Sequence, residues 1–82
     1  MEIVWDERKR RANIDKHGLD FADLTLDYFL SASIRPAKAG RLQAIGRLKD
    51  GTLSVIFLKL GSEGISIISM RPANIRERRS AR

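Results

Sequence analysis

Cysteine is missing altogether, and histidine, tryptophan and tyrosine occur once each. Without thiols there is no disulfide framework, no thiolate nucleophile and no Cys-based metal site, which fits a reducing compartment. One histidine and no cluster of carboxylates at ligand spacing leave no metal-binding pattern, so neither a metal nor a cofactor is expected. No glycine-rich phosphate loop follows a strand. No apolar run approaches the ~18 residues of a membrane span. The opening MEIVWDERKRR puts charge where a signal peptide needs its apolar stretch. The expectation is a cytoplasmic protein with no membrane contact.

What the chain does hold is positive charge. Sixteen Lys and Arg oppose ten Asp and Glu, for a net charge of +6. Eleven of the sixteen are arginine, whose rigid fork matches phosphate and carboxylate better than the lysine ammonium does. That balance points to a polyanionic partner, nucleic acid or an acidic protein, with a merely solvated basic surface as the plain alternative. At 82 residues and 43% hydrophobic composition the chain reads as one globular domain, 1–82. A domain of this size buries only ~60–65% of its unfolded surface, so its core is modest.

Along the chain, EIVW reads as a short strand, with Trp5 as a buried aromatic and Asp6 as cap of the next segment. ERKRRANIDKH then reads as a polar surface helix, apolar only at Ala12 and Ile14 and stopped by Gly18. Asp20 caps a second helix, FADLTLDYFL, with Phe21, Leu24 and Tyr28 at helical spacing. SASIRPAKAG reads as a loop or short edge strand. Three strands follow. In RLQAIGRL, Leu42, Ala44, Gly46 and Leu48 alternate with Arg41, Gln43, Ile45 and Arg47. Asp50-Gly51 is a type I′ hairpin signal, and TLSVIFLKL is apolar on both faces, as in a central strand. After a GSEG turn, ISIISMR places Arg71 on the face of Ile65, Ile67 and Ser69. Pro72 opens a final basic helix, ANIRERRSAR. The order β-α-α-β-β-β-α predicts a small α+β domain with a mostly antiparallel sheet packed by helices.

Arginine, lysine and one histidine are the chemistry-bearing groups left. That set suits cleavage of RNA by its own 2′-OH, which needs a base for the hydroxyl, cations around the phosphate and an acid for the leaving oxygen. His17, in NIDKHG, can act as acid or base near neutral pH. From the residues alone the preferred reading is a helix C-terminal histidine, favoured by the dipole and catalytically idle. Arg41 and Arg47 share a strand face with Ile45, and a solvated sheet face is the bland reading. Ser69 has no base nearby in sequence. Asn13 and Lys16 touch either phosphate or solvent.

VWDERKRRANIDKHGLDF resembles the opening of BrnT family toxins, IGRLKDGTLSVIF resembles their second block and ISIISMRPANIRERR their closing block. The three blocks are collinear and cover most of the chain. The resemblance implies the toxin of a type II toxin–antitoxin system, with a RelE-like fold and metal-independent endoribonuclease activity that cleaves RNA and inhibits translation and growth. It also implies a cognate BrnA-like antitoxin of ribbon-helix-helix type, with operator DNA reached only through that antitoxin. Carried over by position, His17 would be the acid or base. Arg47 and Arg71 would hold the scissile phosphate, Arg78 would assist, and Glu77 would orient an arginine. Lys16, Arg41, Lys49 and Arg79 would contact the RNA backbone. The chain departs from the family pattern at Ser66, where an arginine is usual, near Phe57, where Tyr or His is common, and in the short, acid-free SASIRPAKAG loop. These departures keep a second reading open: a non-catalytic, basic RNA- or antitoxin-binding module of the same fold.

Overall fold

The computed structural model describes residues 1–49 and 51–80. Strands β1 (Glu2–Trp5), β2 (Ser33–Pro36), β3 (Leu42–Leu48), β4 (Gly51–Leu60) and β5 (Gly64–Pro72) form one sheet in the order β1-β5-β4-β3-β2. β1 runs parallel to β5, and the other neighbours are antiparallel. Helices α1 (Glu7–His17), α2 (Leu26–Ser31) and α3 (Ile75–Ser80) complete the α+β domain. The apolar β4 takes the central place expected of it, and SIRP supplies the short edge strand β2.

The core lies on one face of the sheet. Ala44, Val55, Ile67 and Phe21 have no exposed surface, and Tyr28 is nearly as buried. Trp5 meets Phe21 edge-on at 6.4 Å, and Phe29 meets Phe57 edge-on at 5.2 Å. The Tyr28 hydroxyl lies 2.9 Å from the Ala44 carbonyl and 2.8 Å from that of Leu53, so it reaches two buried acceptors at once. Burial pushes the phenol's pKa well above its ordinary value.

α1 has almost no apolar face to bury, and polar contacts hold it. Asp6 accepts from the Arg8 N–H at 2.8 Å, and Gly18 closes the helix at φ 70°. Asn13 is its buried residue. The pairing of β1 with β5 stops at Trp5 and Ile67, and beyond that point the Met70 N–H donates to Asn13 Oδ1 at 3.0 Å. Asn13 Nδ2 in turn donates to the Leu19 carbonyl at 3.0 Å. One side chain therefore continues the ladder where the strand ends. Arg10 adds a two-pronged contact to Asp20, Nε to Oδ1 at 2.8 Å and Nη2 to Oδ2 at 3.0 Å.

Three expectations change. The second helix is two elements: a 3-10 turn over Phe21–Asp23, capped by Asp20, and then α2. Thr25 interrupts the helix because it caps α2 itself, accepting from the Tyr28 N–H at 3.2 Å. In the β3–β4 hairpin the positive φ falls on Lys49, at 55°, while Gly51 pairs with Leu48 as the first residue of β4. Asp50 lies outside the described residues. Finally, Pro72 closes β5 opposite Leu53 and does not open α3. A proline is tolerated there because the ladder bond toward β4 is made by the next residue, the Ala73 N–H donating to the Thr52 carbonyl at 2.9 Å, so the N–H that Pro72 lacks is not needed. The start of α3 is set by Asn74 and Glu77: the Glu77 N–H donates to Asn74 Oδ1 at 2.8 Å and the Asn74 N–H to Glu77 Oε1 at 2.9 Å. This reciprocal pair is a capping box.

Candidate active site

β5 does not keep a period of two. Ile56 pairs with Ser69 and Phe57 with Ile67, so Ile68 is an extra residue opposite β4. Such a bulge reverses the alternation that follows it. Ile67 and Met70, three apart, both enter the core. Ser69 and Arg71 consequently point to the opposite, outer face. Arg71 therefore does not share a face with Ile65 and Ile67, as strict alternation predicts; the bulge has turned it outward.

On that outer face Arg71 stands opposite Ser54, Ser54 opposite Ile45, and Gln43 opposite Arg35. α3 lies over these strands. Arg71 Nη1 and Nη2 donate to Glu77 Oε1 and Oε2, each at 2.8 Å. Gln43 Nε2 lies 2.8 Å from Glu77 Oε2 and 2.8 Å from Ser54 Oγ. Arg35 reaches the Ser80 hydroxyl near the other end of α3. The Glu77 side chain is 12% exposed and that of Arg71 39%. The Arg71 guanidinium is the chief reason that the Glu77 carboxyl sits at about 2, against the opposing effect of burial. Glu77 in turn raises the pKa of Arg71.

This pairing occupies only part of the guanidinium. The Nη1–Nη2 end faces Glu77, and Nη1 also donates to the Pro72 carbonyl at 3.1 Å. Among the described residues Nε makes no hydrogen bond. The side-on edge formed by Nε and the outer Nη2 N–H thus remains as a second fork on a part-exposed side chain, with the geometry that grips a phosphate.

His17 does not enter this network. It lines a shallow cleft of about 230 Å³ between α1 and the bulge, with Lys9, Asn13, Lys16, Ile68 and Ser69. Ser69 is two residues from Arg71 on the same face, ~7 Å along the strand. Arg47 shares the outer face, two strands across from Arg71 and two residues along, ~12 Å between Cα atoms. Arg78 and Arg79 are exposed on α3, and Arg41 is exposed just before β3. Lys49 is drawn elsewhere, to Asp23 at 3.5 Å beside the turn that covers the core face. Ser66 is on the outer face between Val4 and Leu58. Phe57 faces the core, so the departure there concerns packing.

Sequence reasoning did not single out Gln43 as a ligand of Glu77, or Lys9 as part of the cleft. Asn74 and Glu77 carried a legible signal, since Asn-x-x-Glu ahead of a helix is a capping-box pattern.

The fold and this face define a small α+β domain whose outer sheet face carries an arginine braced by a carboxylate. The profile of the ribonuclease toxin BrnT of type II toxin–antitoxin systems matches residues 5–77. The crystal structure of the Brucella abortus ribonuclease toxin BrnT is similar at a TM-score of 0.86 and 56% identity, over 90% of this chain and 97% of that one. No curated protein matches the chain. The chain belongs to the BrnT family of ribonuclease toxins of type II toxin–antitoxin systems. That membership implies an antitoxin partner. No helix among the described residues is long and apolar enough to cross a membrane.

Proposed function

We propose that the outer face of the sheet cleaves RNA without a metal ion, in the manner of RelE-like ribonucleases. Arg71 binds the scissile phosphate through its open Nε–Nη2 edge, with Arg47 and Arg78 adding charge as it builds on the phosphorane. The RNA 2′-oxygen gives up its proton, bonds to phosphorus and expels the 5′-oxygen, which takes a proton. His17 serves as acid or base for one of these transfers. Lys16, Arg41 and Arg79 follow the backbone on either side. Lys49 joins that track by giving up its contact with Asp23. The RNA loss inhibits translation in the cytoplasm until a BrnA-like, ribbon-helix-helix antitoxin binds. Operator DNA is reached only through that antitoxin.

The observation that carries this reading is the Arg71–Glu77 fork on a basic face, in a chain of this family. The test is incubation of purified protein with RNA in EDTA. Shortened RNA with the parent chain, and intact RNA with Arg71→Ala, is the expected result. RNA that is bound but never cut by the parent chain sinks it. That outcome belongs to the second reading, a non-catalytic binding module, which draws support from Arg71 already holding a carboxylate.

A further inference from the structure

A second concavity lies on the other side of the sheet. It is an apolar groove of about 400 Å³, walled by Leu26, Phe29 and Leu30 of α2, Ile34 of β2 and Phe57 of β4, with Lys59 among its lining residues. Leu30 is 83% exposed, Ile34 45% and Leu26 40%. Exposed apolar side chains gathered in this way mark a contact surface in a domain with so small a core. The groove offers almost nothing to a nucleic acid, which needs cations and donors along its track.

Charge selects the occupant. The chain carries +6, and the groove's charged lining residue is a lysine. A second copy would bring its own excess of positive charge to the contact, whereas an acidic partner is drawn in. A short row of apolar side chains at i, i+3/i+4 and i+7 is the shape that fills such a groove. We propose that the groove between α2 and the β2–β3–β4 surface anchors an amphipathic helical segment of the antitoxin, its apolar stripe seated on Leu30, Ile34 and Phe57 and an acidic residue reaching Lys59. This rests on membership of the family and not on the cleavage chemistry proposed above. Ile65, at the groove, and Arg71 lie on opposite faces of the sheet and ~20 Å apart along β5. The anchor thus holds the antitoxin without itself covering the arginines.

The experiment compares capture of the cognate antitoxin, co-expressed with the toxin, by the parent chain, Leu30→Glu, Lys59→Glu and Arg71→Ala, after melting curves confirm that each is folded. Leu30→Glu is expected to raise the Kd at least ~10-fold, and Lys59→Glu by a few fold with the loss fading in high salt. Arg71→Ala is expected to bind the antitoxin as the parent does, and both groove variants to cut RNA as the parent does. Should the parent not cut RNA, the cleavage reading fails alone and the anchoring result stands by itself. Unchanged antitoxin affinity in both groove variants overturns the proposal. So does a parent toxin that is dimeric alone and becomes monomeric with Leu30→Glu, because the groove then belongs to a second copy.

Discussion

The Arg71 guanidinium and the Glu77 carboxylate meet fork to fork, both arms at 2.8 Å, six residues apart and on different elements. Glu77 also caps α3 and accepts from Gln43. One carboxylate therefore joins β3, β5 and α3 and fixes the direction of Arg71's open edge.

If Glu77 acts by aiming Arg71, Glu77→Ala lowers single-turnover RNA cleavage by about 10²-fold, the size expected of a ~1 Å misplacement. RNA affinity changes little, since the substitution removes a negative charge. Arg71→Ala lowers both. Cleavage at the parent rate in Glu77→Ala shows that Arg71 needs no brace.

The same pair sets an acid limit. The Glu77 carboxyl is at about 2 in the folded protein, against an ordinary value of 4.5. A depressed folded value means stability that is fully present above pH ~4.5 and lost as the pH falls toward 2. The stability difference between the parent and Glu77→Gln should be flat from pH 7 to 5 and shrink below 4.5. Denaturant titrations at a series of pH values measure it, and an equal difference at pH 3 and 7 contradicts it.

Asn13 replaces a strand partner for the Met70 N–H. Asn13→Ala leaves a buried donor unpaired and should cost about 1–3 kcal/mol. Asn13→Asp keeps an acceptor for Met70 but sets a buried carboxylate against the Leu19 carbonyl, so it should cost at least as much. Hydrogen exchange at Met70 separates the two, with faster exchange in the alanine variant.

Tyr28→Phe removes the proton shared by the Ala44 and Leu53 carbonyls while preserving the ring. A loss of about 1–2 kcal/mol in denaturant unfolding is expected, with RNA cleavage unchanged because the hydroxyl faces the core. A fall in cleavage at unchanged stability would place Tyr28 in the site.

What the chain made legible was local. Asp6 and Gly18 bracket α1 because a cap and a left-handed stop act within one turn. The hidden features depend on partners distant in sequence. Nothing in ISIISMR marks Ile68 as extra; the bulge exists only against β4. Counting by twos therefore put Arg71 on the wrong face. Pro72 concealed the true helix start because it suits both a strand's last place and a helix's first turn. His17 was placed correctly at the end of α1, but its cleft depends on Ser69, brought there by β5.

The parallel pairing of β1 with β5 carries a consequence for the cell that makes this protein. Glu2 meets Gly64 and Trp5 meets Ile67, so the first strand emerges from the ribosome long before its neighbour in the sheet. α1 waits equally long for Met70, and Arg71 is translated after both. A message abandoned partway leaves a product with no finished sheet and no Arg71. The sheet therefore closes, and Arg71 takes its place on the outer face, only after β5 has been made.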